Sequence, residues 1–204
     1  MPLLTFADPA AAAFESAIKS GHVAIFPADT VYGLACDPDS PQAVERLYAI
    51  KGRRPDKPAA VMFFDRDCAL QALPELGART RQAMERLLPG GVTLLLPNPR
   101  RRFPLACGPD PGTLGVRIPD VPLLHGVRVP VLQSSANPAG GADARRLDDI
   151  PARIREQADL TIDGGELPGT PSTVIDLRRY EDEGAWTVLR SGAVAPERVA
   201  TLLG

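Results

Sequence analysis

Metal-binding and nucleophilic chemistry have little to work with in this chain, whose 204 residues include only three cysteines and two histidines. Cys36, Cys68 and Cys107 are odd in number, widely spaced and form no C-x-x-C, so they read as reduced thiols. His22 and His125 stand alone, too few for a zinc site and without the neighbours of a Ser-His-Asp triad. No apolar run approaches the roughly 20 residues that span a bilayer. The opening MPLLTFADP has neither the basic start nor the long apolar stretch of a signal peptide, so a cytoplasmic location is expected. The common nucleotide signatures are also missing: there is no G-x-x-x-x-G-K-[ST] and no strand–G-x-G-x-x-G–helix unit. An excess of positive charge is lacking too. The net charge of −2 argues against a dedicated nucleic-acid binder while leaving room for a local basic cleft.

What is present suits one domain over residues 1–204, because 44% hydrophobic content can build one good core at this length. Twenty-two prolines and eighteen glycines act as punctuation between elements, with no linker and no repeat. Apolar periodicity predicts helices over 10–20, 41–50, 67–73, 79–88, 149–157 and 196–203. Strands are predicted over 23–27, 59–64, 92–96, 114–118, 129–133, 160–162, 173–177 and 186–189, with 29–34 leading into a turn at 37–39. The stretch 97–111 is long for a structureless loop and reads as a lid or binding loop. Loosely alternating strands and helices predict an α/β fold, a twisted open mixed sheet flanked by helices.

Two clusters far apart carry the chemistry. Lys51, Arg53, Arg54 and Lys57 fall within seven residues at a helix-to-strand connection. Cations at a helix C-terminus also serve simply to offset the macrodipole, but Pro55 and Pro58 stiffen this segment and fix where its side chains point. Ser135-Ala136-Asn137 follows a predicted strand. Arg117 and Arg190 end two others beside proline or glycine turns, positions suited to bidentate capture of phosphate or carboxylate. Asp29 and Thr30 need partners if buried, or form an Asx-type turn. Ser172 and Thr173 either hold a small polar ligand or cap a strand. Together these groups point to an anion site that takes a nucleotide.

PADTVYGLACD (27–37), KGRRPDKPAAV (51–61), PGGVTLLL (89–96), GVRIPD (115–120), SSANPAGG (134–141), PSTVIDL (171–177) and LRSGAV (189–194) stand in the order found in YrdC-like L-threonylcarbamoyladenylate synthases. The chain resembles that family, in its short single-domain form, over nearly its whole length. The resemblance implies the YrdC/RibB type of sheet. It implies a nucleotidyltransferase that joins L-threonine, bicarbonate or CO2, and ATP into threonylcarbamoyl-AMP and pyrophosphate. A separate transferase complex would then carry the threonylcarbamoyl group to adenosine in tRNA, with at most a weak tRNA contact by this chain. By motif position, ATP contacts fall on Lys51, Arg53, Lys57, Thr113, Ser135, Asn137, Asp143 and Arg190, and Lys51, Arg53, Ser135 and Asn137 carry the catalysis. Threonine contacts fall on Thr30, Met62, Arg117, Gln133, Ser172 and Thr173. Mg²⁺ would come with the nucleotide, with no protein-bound metal. Ala28 and Gly91 depart from the family pattern, which usually has threonine and proline there. The competing reading is an RNA-binding, ribosome-associated protein of the same fold, favoured by Arg100-Arg101-Arg102-Phe103 and Arg145-Arg146.

Overall fold

A computed structural model describes residues 3, 4 and 7–204, with side chains from residue 9 onward. The N-terminal run tested for a targeting signal lies partly outside them. In chain order the elements are β1 (Leu3–Leu4), α1 (Ala7–Lys19), β2 (Ala24–Pro27), β3 (Tyr32–Cys36), α2 (Pro41–Lys51), β4 (Ala60–Met62), α3 (Arg66–Ala72) and α4 (Ala78–Leu87). There follow β5 (Val92–Pro97), α5 (Pro104–Cys107), β6 (Thr113–Arg117), β7 (Val131–Ser135), α6 (Ala152–Arg155) and β8 (Leu160–Ile162). The chain closes with β9 (Thr173–Asp176), α7 (Tyr180–Glu183), β10 (Thr187–Arg190) and α8 (Pro196–Leu203). All strands join one mixed sheet in the order β1-β8-β2-β3-β7-β4-β6-β5-β9-β10. No helix among the described residues is long and apolar enough to cross a membrane.

The two faces of this sheet have different fates, and strand alternation decides which residue meets which. Ile25, Leu34, Val61, Leu94, Val116 and Leu132 all point to one face, where α2, α3, α4 and α8 bury them in the larger core. On the other face Ala24, Phe26, Ala35, Met62 and Val131 are buried under α1, with Phe14, Phe26 and Phe64 packed ring to ring. That cover extends over part of the sheet. The remaining alternate positions of β3, β7, β4, β6, β5 and β9 are left open.

Several predicted boundaries shift for local reasons. Helix α2 runs one residue further than expected, so Lys51 is its last helical residue. Ser40 caps its start by accepting from the Ala43 N–H, and Gly52 ends it at φ 63°, a conformation glycine adopts without strain. β7 begins two residues later than predicted and carries Ser135 as its end, since Pro130 has no N–H to give the sheet. The helix predicted over 149–157 breaks around Pro151 into a 3₁₀ turn, Leu147–Asp149, and the short α6. The stretch 97–111 contains α5. Asn98 folds it back, its amide donating to the carbonyls of Arg102 and Pro111 and its oxygen accepting from the Arg102 N–H. All three cysteines are free thiols.

Candidate active site

The uncovered part of the second face is the floor of a cavity of about 410 Å³. A cross-strand row runs Ala35, Gln133, Ala60, Gly115, Leu95, and small side chains at Ala60 and Gly115 keep its middle low. Gly33 lies beside Ser135 in the neighbouring row. A Cβ on Gly33 would stand 2.8 Å from the Phe26 ring. The register gives the cavity two ends. Thr93, Arg117 and Ser172 lie where β4 and β6 finish; Arg53, Pro58, Asp110, Thr113 and Ser135 lie where they begin.

The first end is built around a buried arginine that is already bonded. Arg117 is 3% exposed, and its Nη2 donates to Asp29 Oδ1 and to Thr30 Oγ1, 2.7 Å away for the latter. The other Asp29 oxygen accepts from the Asp120 N–H at 3.1 Å. The turn after β2 thus reaches past β7 and β4 to the end of β6. Burial pushes the Arg117 guanidinium down and the Asp29 charge opposes this; an arginine starting so high remains charged. Its Nε is buried with no partner, which costs free energy until an acceptor arrives. Beside it, Ser172 Oγ and Thr93 Oγ1 are 2.8 Å apart in a buried hydroxyl pair. Arg190 donates to the Ser172 carbonyl at 2.7 Å and to its Oγ at 3.2 Å. This end of the lining thus holds two guanidiniums, the buried Arg117 and the exposed Arg190, of which Arg190 bonds the hydroxyl pair.

The second end is more open. Arg53 donates to the Pro58 carbonyl and stacks 5.7 Å from the Tyr48 ring centre, while its Nε is buried without a partner. Thr113 donates to Asp110 Oδ2 at 2.6 Å. Asp143 and Gln133 line the cavity, and the exposed Lys57, which is not in the lining, directly precedes the lining residue Pro58. Lys51 and the Ser135–Asn137 turn, remote in sequence, meet here. The Lys51 ammonium donates to the Ser135 carbonyl, to the Asn137 carbonyl at 2.8 Å and to Asn137 Oδ1 at 2.9 Å.

The structure thus gathers Arg53, Thr113, Arg117, Gln133, Ser135, Asp143, Ser172 and Arg190 around one cavity. Others stand apart from its lining. Lys51, 2% exposed, is neither a solvated helix-end cation nor a cavity wall. Met62 packs in the aromatic core under α1. Thr173 spends its hydroxyl on Val194, donating to the carbonyl and accepting from the N–H. Asn137 and Thr30 support the walls through their partners. Thr93 was missed by sequence reasoning; a hydroxyl at an alternate position of the otherwise apolar VTLLLP was the available signal. Tyr32 is fully buried yet touches the cavity. Its hydroxyl donates to Asp163 Oδ1 or the Gly165 carbonyl and accepts from the Gly164 N–H, tying down the connection from β8 to β9.

Comparison with known proteins agrees with this architecture. A family model for Sua5, YciO and YrdC proteins, described as "Telomere recombination", matches residues 16–192. A threonylcarbamoyl-AMP synthase of Chromohalobacter salexigens is 35% identical over 172 residues, covering 81% of this chain and 91% of the relative. The Pyrococcus abyssi Sua5 structure complexed with L-threonine superposes at TM-score 0.84 with 26% identity, covering all of this chain and 61% of that one. A Bacillus subtilis threonylcarbamoyl-AMP synthase is similarly longer: 26% identity covers 97% of this chain but 57% of the relative. Escherichia coli YciO, at 24% identity, TM-score 0.77 and 97% and 98% coverage, shares the fold. The chain belongs to the Sua5/YciO/YrdC family.

Proposed function

We propose that this protein is an L-threonylcarbamoyladenylate synthase, making threonylcarbamoyl-AMP and pyrophosphate from L-threonine, bicarbonate or CO2, and ATP for the modification of tRNA. The observation that carries this reading is the cavity's polarity. A buried guanidinium with an unpartnered Nε sits beside paired hydroxyls at one end, and cationic and hydroxyl groups sit at the other.

Arg117 takes the amino-acid carboxylate, which supplies the acceptor its Nε lacks. Ser172 and Thr93 face the substrate side chain, with Thr30 steadying Arg117. The triphosphate lies toward Arg53, Lys57, Thr113, Ser135 and Asp143, over the low floor of Ala60 and Gly115. Arg190 stands between the substrates. The threonine amine attacks CO2 to form a carbamate and loses a proton. A carbamate oxygen then attacks the α-phosphorus, and pyrophosphate leaves with its bonding electron pair. Arg53 and Lys57 offset the negative charge that grows on that leaving group. Mg²⁺ enters as part of the nucleotide substrate. The next acceptor is a separate transferase complex, and this step proceeds in the cytoplasm.

The RNA-binding alternative has less behind it. Arg102 is held by Glu75, and Arg145 by Glu166 and the Leu167 carbonyl, so both basic runs are partly neutralised. Pyrophosphate release measured with and without threonine and bicarbonate tests the proposal. Release that needs both supports it; release indifferent to threonine overturns it.

A further inference from the structure

Lys51 is the one cation of this region whose donors are used up. An ammonium has three N–H bonds, and three acceptors surround this one: the carbonyls of Ser135 and Asn137 and the Asn137 side-chain oxygen. The side chain is 2% exposed and absent from the cavity lining. Its backbone carbonyl is used as well, accepting from the Ala139 N–H at 3.0 Å. Asn137 extends the knot. Its Oδ1 also accepts from the Ser135 hydroxyl at 2.6 Å, and its Nδ2 donates to the Gly141 carbonyl at 2.6 Å. Arg53, two residues on, has the opposite character, with an unpartnered Nε and a place on the cavity wall.

We propose that Lys51 is a positioning residue whose ammonium fixes the turn from Ser135 to Gly141, and that it makes no contact of its own with the nucleotide. A phosphate could reach Lys51 only by displacing one of three acceptors around a buried ammonium, whereas Arg53 offers a vacant donor. The pairing of the two motifs then has a mechanical cause: the lysine is the post on which the serine–asparagine turn is wound. Burial and the nearby Arg53 charge push the ammonium down to about 8, against the pull of Asp143. Below that pH it keeps the full set of three donors the turn requires.

This inference rests on the nucleotide reading only for its effect on binding, so the experiment has two arms. In ligand-free Lys51→Met, amide hydrogen exchange across residues 135–141 should quicken by about tenfold or more, while α4 and α8 stay protected. In the second arm, affinities for adenosine, AMP and ATP should all fall by one common factor, within about threefold of each other, because a displaced turn harms every ligand alike. Arg53→Ala is the contrast, its loss growing with phosphate number. Lys51→Arg should not restore the wild-type values, since a planar guanidinium cannot aim three donors from one nitrogen. That variant also serves if Lys51→Met does not fold. Unchanged exchange, a loss confined to ATP, or full rescue by arginine would each overturn the proposal. A wild-type protein that binds no nucleotide, with exchange still quickened in the variant, would remove the nucleotide reading and leave the positioning role standing.

Discussion

The two ends of the cavity solve different problems. At the Arg117 end, the guanidinium of Arg117 is buried, paired in advance with Asp29 and framed by hydroxyls whose hydrogen bonds are fixed. At the Arg53 end, apart from the buried Lys51, the cations Arg53 and Lys57 are half-buried or exposed, with few internal partners. A buried, pre-bonded site discriminates, because a ligand that fails to meet its groups leaves them unsatisfied. An open cationic site attracts anions broadly, and salt weakens it. On the proposed reading, selectivity for the amino acid and capacity for the polyphosphate are separated along β6, from Arg117 to Thr113.

The sharpest test of this division is side-chain discrimination. Threonine should exceed valine by up to about 10⁴-fold in kcat/KM, whereas serine, lacking one methyl, should lose about 10- to 200-fold. Amino-acid competition assays at saturating ATP and bicarbonate check it; valine matching threonine would mean that the Thr93–Ser172 pair does not read the side chain. Arg117→Ala is expected to remove threonine-dependent pyrophosphate release and to lower stability by about 3–5 kcal/mol, because Asp29 is left buried without its counter-ion. Melting curves with steady-state kinetics on the same protein separate the two effects, and an unshifted melting temperature would break the comparison at its buried end. Arg53→Ala should weaken ATP by about 10- to 150-fold, the worth of one charge-assisted contact, with threonine KM nearly unchanged. Lys57→Ala should cost at most about fivefold, a difference that disappears as ionic strength rises. A salt titration of ATP KM decides this, and an effect as large as that of Arg53 would show Lys57 to be more enclosed than its exposed position indicates.

Much of the sheet was legible because strand alternation and proline–glycine punctuation leave clear marks. Both arginine-bearing strand ends were visible, and so were the two motifs that meet at Lys51. What sequence could not tell was direction. Nothing local in Tyr-Ala-Ile-Lys distinguishes an ammonium facing solvent from one inserted into a turn 86 residues away. Thr173 and Ser172 look equivalent as neighbours, yet adjacent strand residues face opposite sides, so one hydroxyl serves Val194 and the other the cavity. Pro151 and Pro130 were in plain view and still moved two boundaries, because the missing N–H matters only once the partner strand or turn is known. Asp29 stayed open between a buried group needing a partner and an Asx-type turn for the same reason: its partner lies 88 positions on.

Those separations have a kinetic meaning. Four of the polar contacts that shape the cavity join residues 79, 84, 86 and 88 positions apart, across strands that are not sequence neighbours. Loops of that length close only after the intervening chain has found its place, so such contacts belong to the late, slow part of a fold rich in long-range pairings. The Arg117 end draws on residues from Asp29 to Arg190, so only most of the chain together can build it. A refolding chain should therefore recover its helical signal well before it binds threonine, and the arrival of binding should mark the completion of the sheet.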